Sequence, residues 1–577
     1  MSMNKKDVIQ LLETIAVYLE LKGENPFKIS AYRKASQALE REDRSLSEIN
    51  DFTAIQGIGK GTATVIDTYI ETGQSETLEE LKKQVPEGLI PLLQLPGLGG
   101  KKLARLYHEL SVVDEQSLKS ACETGQIQGL KGFGKKSEEK ILEALNQANQ
   151  RPERLPMAMI LPVVEKIEAY LATIEEIERF SLAGSMRRYR ETIRDIDFII
   201  ATNQPETVRD HLLQFEDRVE TIASGDTKVS ITVQSQYEIN VDFRLVQDKE
   251  FATTLHHFTG SKDHNVLMRQ LAKQQGKKIS EYGIEDAETG EVETFASEES
   301  FFASLGLHYI PPEVREGKDE VERAIDSIDV VQNKDIRGDL HMHTTWSDGG
   351  QSLEEMVQRA IEKNYQFIAI TDHSKYLRVA NGLNEERLRK QREEINSVQA
   401  KYPEIKIFAG IEMDIRPDGS LDFDNDFLPE LDFVIASIHS SFQQSQADIH
   451  KRLQRALENP YVDLIAHPTG RLIGRRTGYD VDIHWLIEKA KETDTALELN
   501  ANPNRLDLSS DWVRIAQEKG VPIAINTDAH SYSMLDHMPI GCATARKGWL
   551  QKSTVINTWQ TDDLMKWLTD RRNLADG

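Results

Sequence analysis

The chain has 577 residues, of which 29% are charged and 39% hydrophobic, with a formal net charge of −25. That length exceeds one core and implies several domains, and the composition excludes a mainly disordered chain. The sequence holds no run of 18 apolar residues, no signal-peptide pattern and only Cys122 and Cys542, which excludes a membrane span, a disulfide framework and a thiolate zinc site and implies a reducing cytosol.

Residues 1–150 read as almost purely helical, with apolar positions at helical spacing in 8–21 and 63–73. They also hold an internal repeat of the form apolar-x-Gly-apolar-Gly at Ile55–Gly59, Leu95–Gly99 and Leu130–Gly134, each followed by lysine or small residues and a helix. This is the helix-hairpin-helix signature. Its glycines (Gly57 and Gly59, Gly97 and Gly99, Gly132 and Gly134) let backbone N–H groups approach a DNA phosphate, and the next helix start adds a positive dipole. Lys60, Lys101, Lys102, Lys131, Lys135 and Lys136 follow the hairpins. Such contacts read no base sequence. They also bear on the net charge, because −25 by itself argues against a nucleic-acid partner. Residues 1–150 hold 19 Lys and Arg against 22 Asp and Glu, whereas the remaining 427 hold 51 against 73.

From about 155 the texture changes to a helix, then short strands at RFSLAG, DIDFIIA, KVSITVQ and YEINVDFRLV, then helix again over 251–275. Gly184-Ser185 opens a turn suited to phosphate, and Arg188 follows. Asp195 and Asp197 are two apart on a strand and share a face, and Asp242 stands on a second alternating strand. Three carboxylates so placed can hold two Mg²⁺ ions for nucleotidyl transfer. Residues 313–335 are charged, carry little core and read as a linker.

From 336 onward, seven strand-like runs alternate with helices, which implies parallel strands in an α/β barrel or open sheet. Nine of the 15 histidines lie here, and the runs end in His341 and His343, Asp372-His373, Glu412, His439, His467, Asn500, and Asp528 with His530, while Asp348 follows the first run. In a parallel barrel the carboxyl ends of the strands gather on one face, so these ligand types converge. Histidine nitrogen with carboxylate oxygen suits Zn²⁺, Mn²⁺ or Fe²⁺, and nine ligands imply two or three ions acting on a phosphodiester. Arg471, Arg475 and Arg476 beside His467 are placed to grip a nucleic-acid phosphate.

The C-terminal series resembles the PHP (polymerase and histidinol phosphatase) phosphoesterase domain. The resemblance implies a distorted seven-stranded barrel with His341, His343, Asp348, His373, Glu412, His439, His467, Asp528 and His530 as ligands, and with Asp372 orienting them. Many members carry histidine where Asp348 stands. Residues 256–284 (HHFTGSKDHNVLMRQLAKQQGKKISEYGI) resemble the thumb of DNA polymerase beta and its family X relatives. That resemblance implies that Asp195, Asp197 and Asp242 bind the catalytic metals. It also implies that Arg154, Gly184, Ser185 and Arg188 contact the triphosphate, that His257, Phe258 and Gly260 line the sugar, and that Asn265 and Arg269 lie near the nascent base pair. Residues 23–39 resemble the small N-terminal domain of that polymerase, with Lys28 and Lys34 at basic positions. Val65, flanked by Thr64 and Asp67, stands where the relative's Schiff-base lysine would be, so little or no lyase activity is expected by that route.

As a whole the chain resembles the bacterial and archaeal family X DNA polymerases with a C-terminal PHP domain. The expected fold is multidomain, α+β and α/β: an N-terminal helical domain (1–80), a fingers-like helical domain with two hairpins (81–150), a nucleotidyltransferase palm (151–246), a thumb (247–312), a linker (313–335) and a PHP barrel (336–577). The expected function is gap-filling synthesis in base excision repair, with a metal-dependent 3′–5′ exonuclease or 3′-end or abasic-site activity. The alternative is chiefly an end-processing nuclease whose palm positions DNA. Expected cofactors are Mg²⁺ at the palm and Mn²⁺ or Zn²⁺ at the barrel. Expected partners are gapped or nicked DNA and dNTPs, for a monomer in the cytoplasm associated with the nucleoid.

Overall fold

The computed structural model describes residues 5–573 apart from 43–45, 47–48, 96–97, 131 and 149–152. It forms two compact units: Met1–Pro152 with His343–Met356 and Asp372–Ile395, and Glu153–Met342 with Val357–Thr371 and Asn396–Gly577.

In the first unit, α1 (Lys5–Lys22) and α2 (Pro26–Arg41) pack together. Val8, Leu12, Ile15 and Leu19 form the buried stripe of α1 at three- and four-residue spacing. The Asn25 side chain accepts from Phe27 N, and Pro26 occupies the first turn, which fixes where α2 begins. Three tight turns then lead into α3 (Lys60–Thr72), α4 (Gly100–Leu110) and α5 (Lys135–Ala148).

In the second unit, helix α6 (Met157–Leu171) shares a core with a five-stranded sheet: β1 (Arg179–Leu182), β2 (Asp195–Ala201), β3 (Arg218–Ser224), β4 (Lys228–Gln234) and β5 (Glu238–Val246). The order is β1-β2-β5-β4-β3, with β2 and β5 parallel and the other pairs antiparallel. Leu506 and Ile540, distant in sequence, complete this core. Helices α7 (Phe251–Thr259) and α8 (Lys262–Gln274) follow, and Phe301, Phe302 and Trp549 close a second core around Met268 and Ala272.

Residues 313–335 differ from the linker expected of them. Glu313, Val314, Arg315, Glu320, Ala324, Val330 and Val331 are all buried. Glu313 pairs with Arg546 and Arg315 with Glu298, while Glu320 accepts from Gly317 N at 2.8 Å and Lys318 N at 2.7 Å and lies 2.8 Å from His264 Nδ1. A charged stretch folds inward when each ion finds a counter-ion or hydrogen-bond donors.

The seven C-terminal runs form seven parallel strands in sequential order: β6 (Gly338–Asp339), β7 (Phe367–Ile370), β8 (Lys406–Asp414), β9 (Phe433–Ser437), β10 (Leu464–Ile465), β11 (Ala496–Asn500) and β12 (Ile523–Asn526). Nearly every strand residue is buried, as parallel strands covered on both faces require. A parallel bridge between Met342 and Ala529, with Leu340 N donating to Asn526 Oδ1 at 3.1 Å, joins the first strand to the last and closes the barrel. Helix α9 (Met538–Lys547) follows β12.

Candidate functional site: two carboxylate centres and three hairpins

The parallel register of β2 on β5 sets Asp195 opposite Asn240 and Asp197 opposite Asp242. Side chains two apart share a face, so all three carboxylates project to one side of the sheet. Ser230 Oγ donates to Asp242 Oδ1 at 2.6 Å, and Lys228 Nζ lies 2.8 Å from Asp242 Oδ2. Burial, then the charges of Asp195 and Asp242, push the Asp197 carboxyl up to about 7. Crowded carboxylates resisting ionisation are a donor set suited to divalent cations. Gly184 opens the adjoining turn at φ +63°, and a Cβ there would lie 2.1 Å from Asp197 Oδ2. Only glycine lets that carboxylate come so close to the turn.

The surrounding candidates are engaged with their neighbours. Arg154, exposed, donates from Nε to Thr192 Oγ1 at 3.0 Å and from Nη2 to Thr192 O at 2.5 Å. Ser185 sits in the short helical turn Gly184–Arg187. The Arg188 Nη1 group donates to Thr259 O, and Nε lies 3.6 Å from Glu316. His257 Nε2 is 3.7 Å from Glu281, and burial lowers its pKa. The Arg244 guanidinium covers the Phe258 ring at 4.5 Å. Asn265 Nδ2 donates to His257 O at 2.8 Å, and Arg269 Nε donates to Asn265 O at 3.1 Å. Gly260 takes φ +66° with Arg188 Nη1 3.3 Å from where its Cβ would be.

The barrel carries the second centre. Within the second unit, Glu412 Oε1 lies 3.1 Å from His439 Nε2 and 3.0 Å from His467 Nε2. His341 Nε2 lies 3.5 Å from Glu412 and 3.4 Å from Asp528, and His530 Nδ1 is 3.7 Å from Asp528. Within the first unit, His343, Asp348 and His373 bring ligand atoms within 4.8 Å of one another, with His373 Nε2 3.6 Å from Asp348. Met342 alone separates His341 from His343 along the chain. His467 and Asp528 hold positive φ, +29° and +52°, strained values at two ligand-type positions. Against the opposing effect of burial, Asp528, Glu498 and Glu412 hold the His341 pKa well above its ordinary value. Likewise Glu412 and Asp414 push His439 up to about 10. The carboxylates outweigh burial, and His467 Nδ1 is buried without a hydrogen-bond partner, so the donor set fits cations.

Within each unit, buried acids support these ligands. Asp372 accepts from Thr344 N at 2.8 Å and from Gln391 Nε2 at 2.6 Å, and Asp414 lies 3.2 Å from His439 Nδ1. Glu498 is not marked by a position at a strand end, since Asn500 ends β11. It is fully buried, 2.8 Å from His341 Nδ1, and accepts from His467 N at 2.7 Å and Asn526 Nδ2 at 3.1 Å. The strand's two-residue alternation from Asn500 was the available signal. Arg471 also differs from expectation. It is bound bidentately by Glu191 at 2.7 and 3.2 Å, with Arg505 O and Leu506 O as further acceptors, so it fastens its loop to the β1–β2 connection.

The three hairpins of the first unit share one geometry. Ile58 N donates to Ile55 O at 3.1 Å, Leu98 N to Leu95 O at 3.1 Å, and Phe133 N to Leu130 O at 3.0 Å. Gly57 (φ +110°) and Gly132 (φ +89°) take the left-handed turn. Gly59 and Gly99 then cap α3 and α4 with no side-chain cap bond, and Gly134 precedes α5. No atom lies within 4 Å of a Cβ built at Gly59, Gly99 or Gly134. Lys60, Lys101 and Lys135 are exposed beside them. Gly97 and Lys131 lie outside the described residues.

A carboxylate triad on a mixed sheet, a histidine–carboxylate cluster at the ends of a parallel barrel and backbone-presenting hairpins define a two-centre protein of phosphate-ester chemistry on nucleic acid. Comparison with known proteins agrees. Residues 254–316 match the DNA polymerase beta thumb, 3–75 a helix-hairpin-helix domain, 89–147 a SAM-like helix-hairpin-helix tandem and 339–502 the PHP domain. Over 566 residues, 98% of this chain and 99% of the relative, the sequence is 58% identical to the DNA polymerase/3′-5′ exonuclease PolX of Bacillus subtilis (strain 168). A probable phosphatase of Thermoanaerobacter sp. (strain X514) is 28% identical over 254 residues, 41% of this chain and 97% of that one. One of Caldicellulosiruptor bescii is 31% identical over 202 residues, 33% of this chain and 79% of that one. The chain belongs to the family X DNA polymerases that carry a C-terminal PHP domain. Divalent-metal use follows from that membership and from the ligand clusters.

Proposed function

We propose that this protein is a DNA polymerase that fills short gaps during base excision repair and that trims 3′ ends with its PHP barrel. The observation that carries the reading is the Asp197–Asp242 pairing on adjacent parallel strands, in the same chain as the barrel cluster around Glu412. Asp195, Asp197 and Asp242 would hold two Mg²⁺ ions. Asp242, steadied by Ser230 and Lys228, would draw the primer 3′-hydroxyl into line. Arg154, Ser185, Arg188 and the Gly184 turn would receive the triphosphate. His257, Phe258 and Gly260 would bound the sugar, and Asn265 and Arg269 the new base pair.

In the PHP segment, His341, His343, Asp348, His373, Glu412, His439, His467, Asp528 and His530 would serve as ligands to two or three Mn²⁺ or Zn²⁺ ions, with Glu498 and Asp372 fixing the rings and loops. Bound divalent ions supply Lewis-acid stabilisation of a phosphodiester and activation of water at neutral pH. The hairpin amides at Gly57, Gly59, Gly97, Gly99, Gly132 and Gly134, with Lys60, Lys101 and Lys135, would hold gapped or nicked DNA without reading its sequence. The division at 80, 150, 246 and 312 belongs to the same reading, as do dNTP substrates, a monomer and a nucleoid-associated cytoplasmic site. Val65 supplies no amine, so no Schiff-base lyase is assigned.

The test is a paired knockout on a one-nucleotide gapped duplex. Asp195→Ala with Asp197→Ala should abolish extension and leave trimming, and His341→Ala with His343→Ala should do the reverse. Loss of both activities in either variant would sink the two-centre reading.

A further inference from the structure

Glu316 lies just beyond the thumb helices and makes contacts that the nucleotide site alone does not explain. Its Oε1 is 2.9 Å from Lys547 Nζ and 3.6 Å from Arg188 Nε, and its Oε2 is 3.2 Å from Arg190 Nη1. Arg188 and Arg190 belong to the turn after β1, whereas Lys547 is the last residue of α9, after the barrel's final strand. The neighbouring Arg546 pairs with Glu313 at 2.6 Å, so the end of α9 is seated on this segment by two consecutive residues.

One carboxylate here serves three cations. Burial, joined by mutual repulsion, holds Arg188 and Lys547 below their ordinary pKa values. Burial also acts on Glu316, but Lys547, Arg188 and Arg190 outweigh it and hold Glu316 below the usual carboxylate range. The cluster carries surplus positive charge beside the Gly184 turn, where an anion is expected, and Glu316 is the carboxylate its three cations share. Arg188 is further clasped by Thr259 O, against a glycine that leaves it room.

We propose that Glu316 is a positioning residue of the nucleotide site, holding Arg188 toward the incoming triphosphate, and that through Lys547 it makes helix α9 part of that site. The proposal rests on the reading of Arg188 as a triphosphate contact. It assigns the barrel domain a role in polymerisation separate from its own chemistry.

Full-length protein with Arg188→Ala, Glu316→Gln, Glu316→Asp and Lys547→Met is assayed on a one-nucleotide gapped duplex for KM of the dNTP and for kcat. Trimming of a single-stranded oligonucleotide and thermal melting report folding. Glu316→Gln should raise KM about tenfold with kcat nearly unchanged, Lys547→Met should raise it about threefold, and Glu316→Asp should recover most of the loss. The Arg188→Ala and Glu316→Gln effects should be far from additive when combined. If Arg188→Ala raises KM while Glu316→Gln and Lys547→Met leave it unchanged, the carboxylate is mere packing and the proposal is overturned. If Arg188→Ala itself leaves KM unchanged, the triphosphate assignment falls and takes the proposal with it. A kcat loss with unchanged KM, or lost trimming, in Glu316→Asp would also overturn it.

Discussion

Gly184→Ala is the smallest change that should disable one centre and spare the other. The added methyl carbon would stand 2.1 Å from Asp197 Oδ2 and 3.0 Å from its Cγ, on a backbone held at φ +63°. The left-handed conformation costs a residue with a Cβ about 1–2 kcal/mol. Relief of the clash requires the carboxylate to retreat by roughly 1 Å toward ordinary contact distance. A misplacement of that size in a reacting constellation costs on the order of a hundredfold in rate. Gap-filling kcat should therefore fall about a hundredfold, while 3′ trimming of a single strand stays at the wild-type rate and the melting temperature drops only slightly. The assay is single-turnover extension on a one-nucleotide gap at saturating dNTP. Extension within about threefold of wild type would refute the reasoning, because it would mean that Asp197 need not occupy the place the glycine keeps open.

Three further outcomes are expected. Glu498→Gln should weaken the barrel's metal affinity by about 10–100-fold, read by metal titration, and should leave extension untouched. Glu298 is buried between Arg187 and Arg315, at 2.6 Å from each. Despite burial, those arginines lower its pKa to about 2. Because the folded value lies below the unfolded one, its contribution of about 3 kcal/mol is present above pH 4.5 and is lost as pH falls toward 2. Glu298→Gln should remove that contribution at pH 7, and the gap between the two proteins in denaturant melts should close on acidification; a gap that persists at pH 2 would contradict it. Gly59→Ala should leave stability unchanged, since its Cβ meets nothing within 4 Å, yet weaken gapped-DNA binding severalfold at fixed salt. Equal anisotropy titrations for the two proteins would remove that hairpin from the DNA interface.

Much of this architecture was legible because each signal was local. The seven apolar runs became seven strands in chain order, and the ligand-type residues fell at their ends because strand direction fixes which residue reaches the rim. Asp195 and Asp197 sharing a face needed only the two-residue period; that Asp242 stands beside Asp197 required the β2–β5 register. Three features depended on partners far away. Residues 313–335 looked solvated because Arg546 and Glu298, which neutralise Glu313 and Arg315, lie elsewhere in the chain. Arg471 looked free for phosphate because Glu191 is 280 positions distant. Glu498 carries no strand-end signal, because Asn500 holds the tip and the carboxylate's partner His341 lies 157 positions earlier.

The long-range completion of the cores bears on biosynthesis. The sheet bearing Asp195, Asp197 and Asp242 borrows Leu506 and Ile540 for its core, and the thumb core borrows Trp549. During translation, the sheet and thumb segments leave the ribosome long before those three residues are made. The sheet and thumb cores keep apolar surface uncovered until the chain beyond the barrel's last strand, with Ile540 and Trp549, emerges. A message truncated after codon 242 but before codon 540 thus encodes Asp195, Asp197 and Asp242 and still lacks part of the core on which they sit.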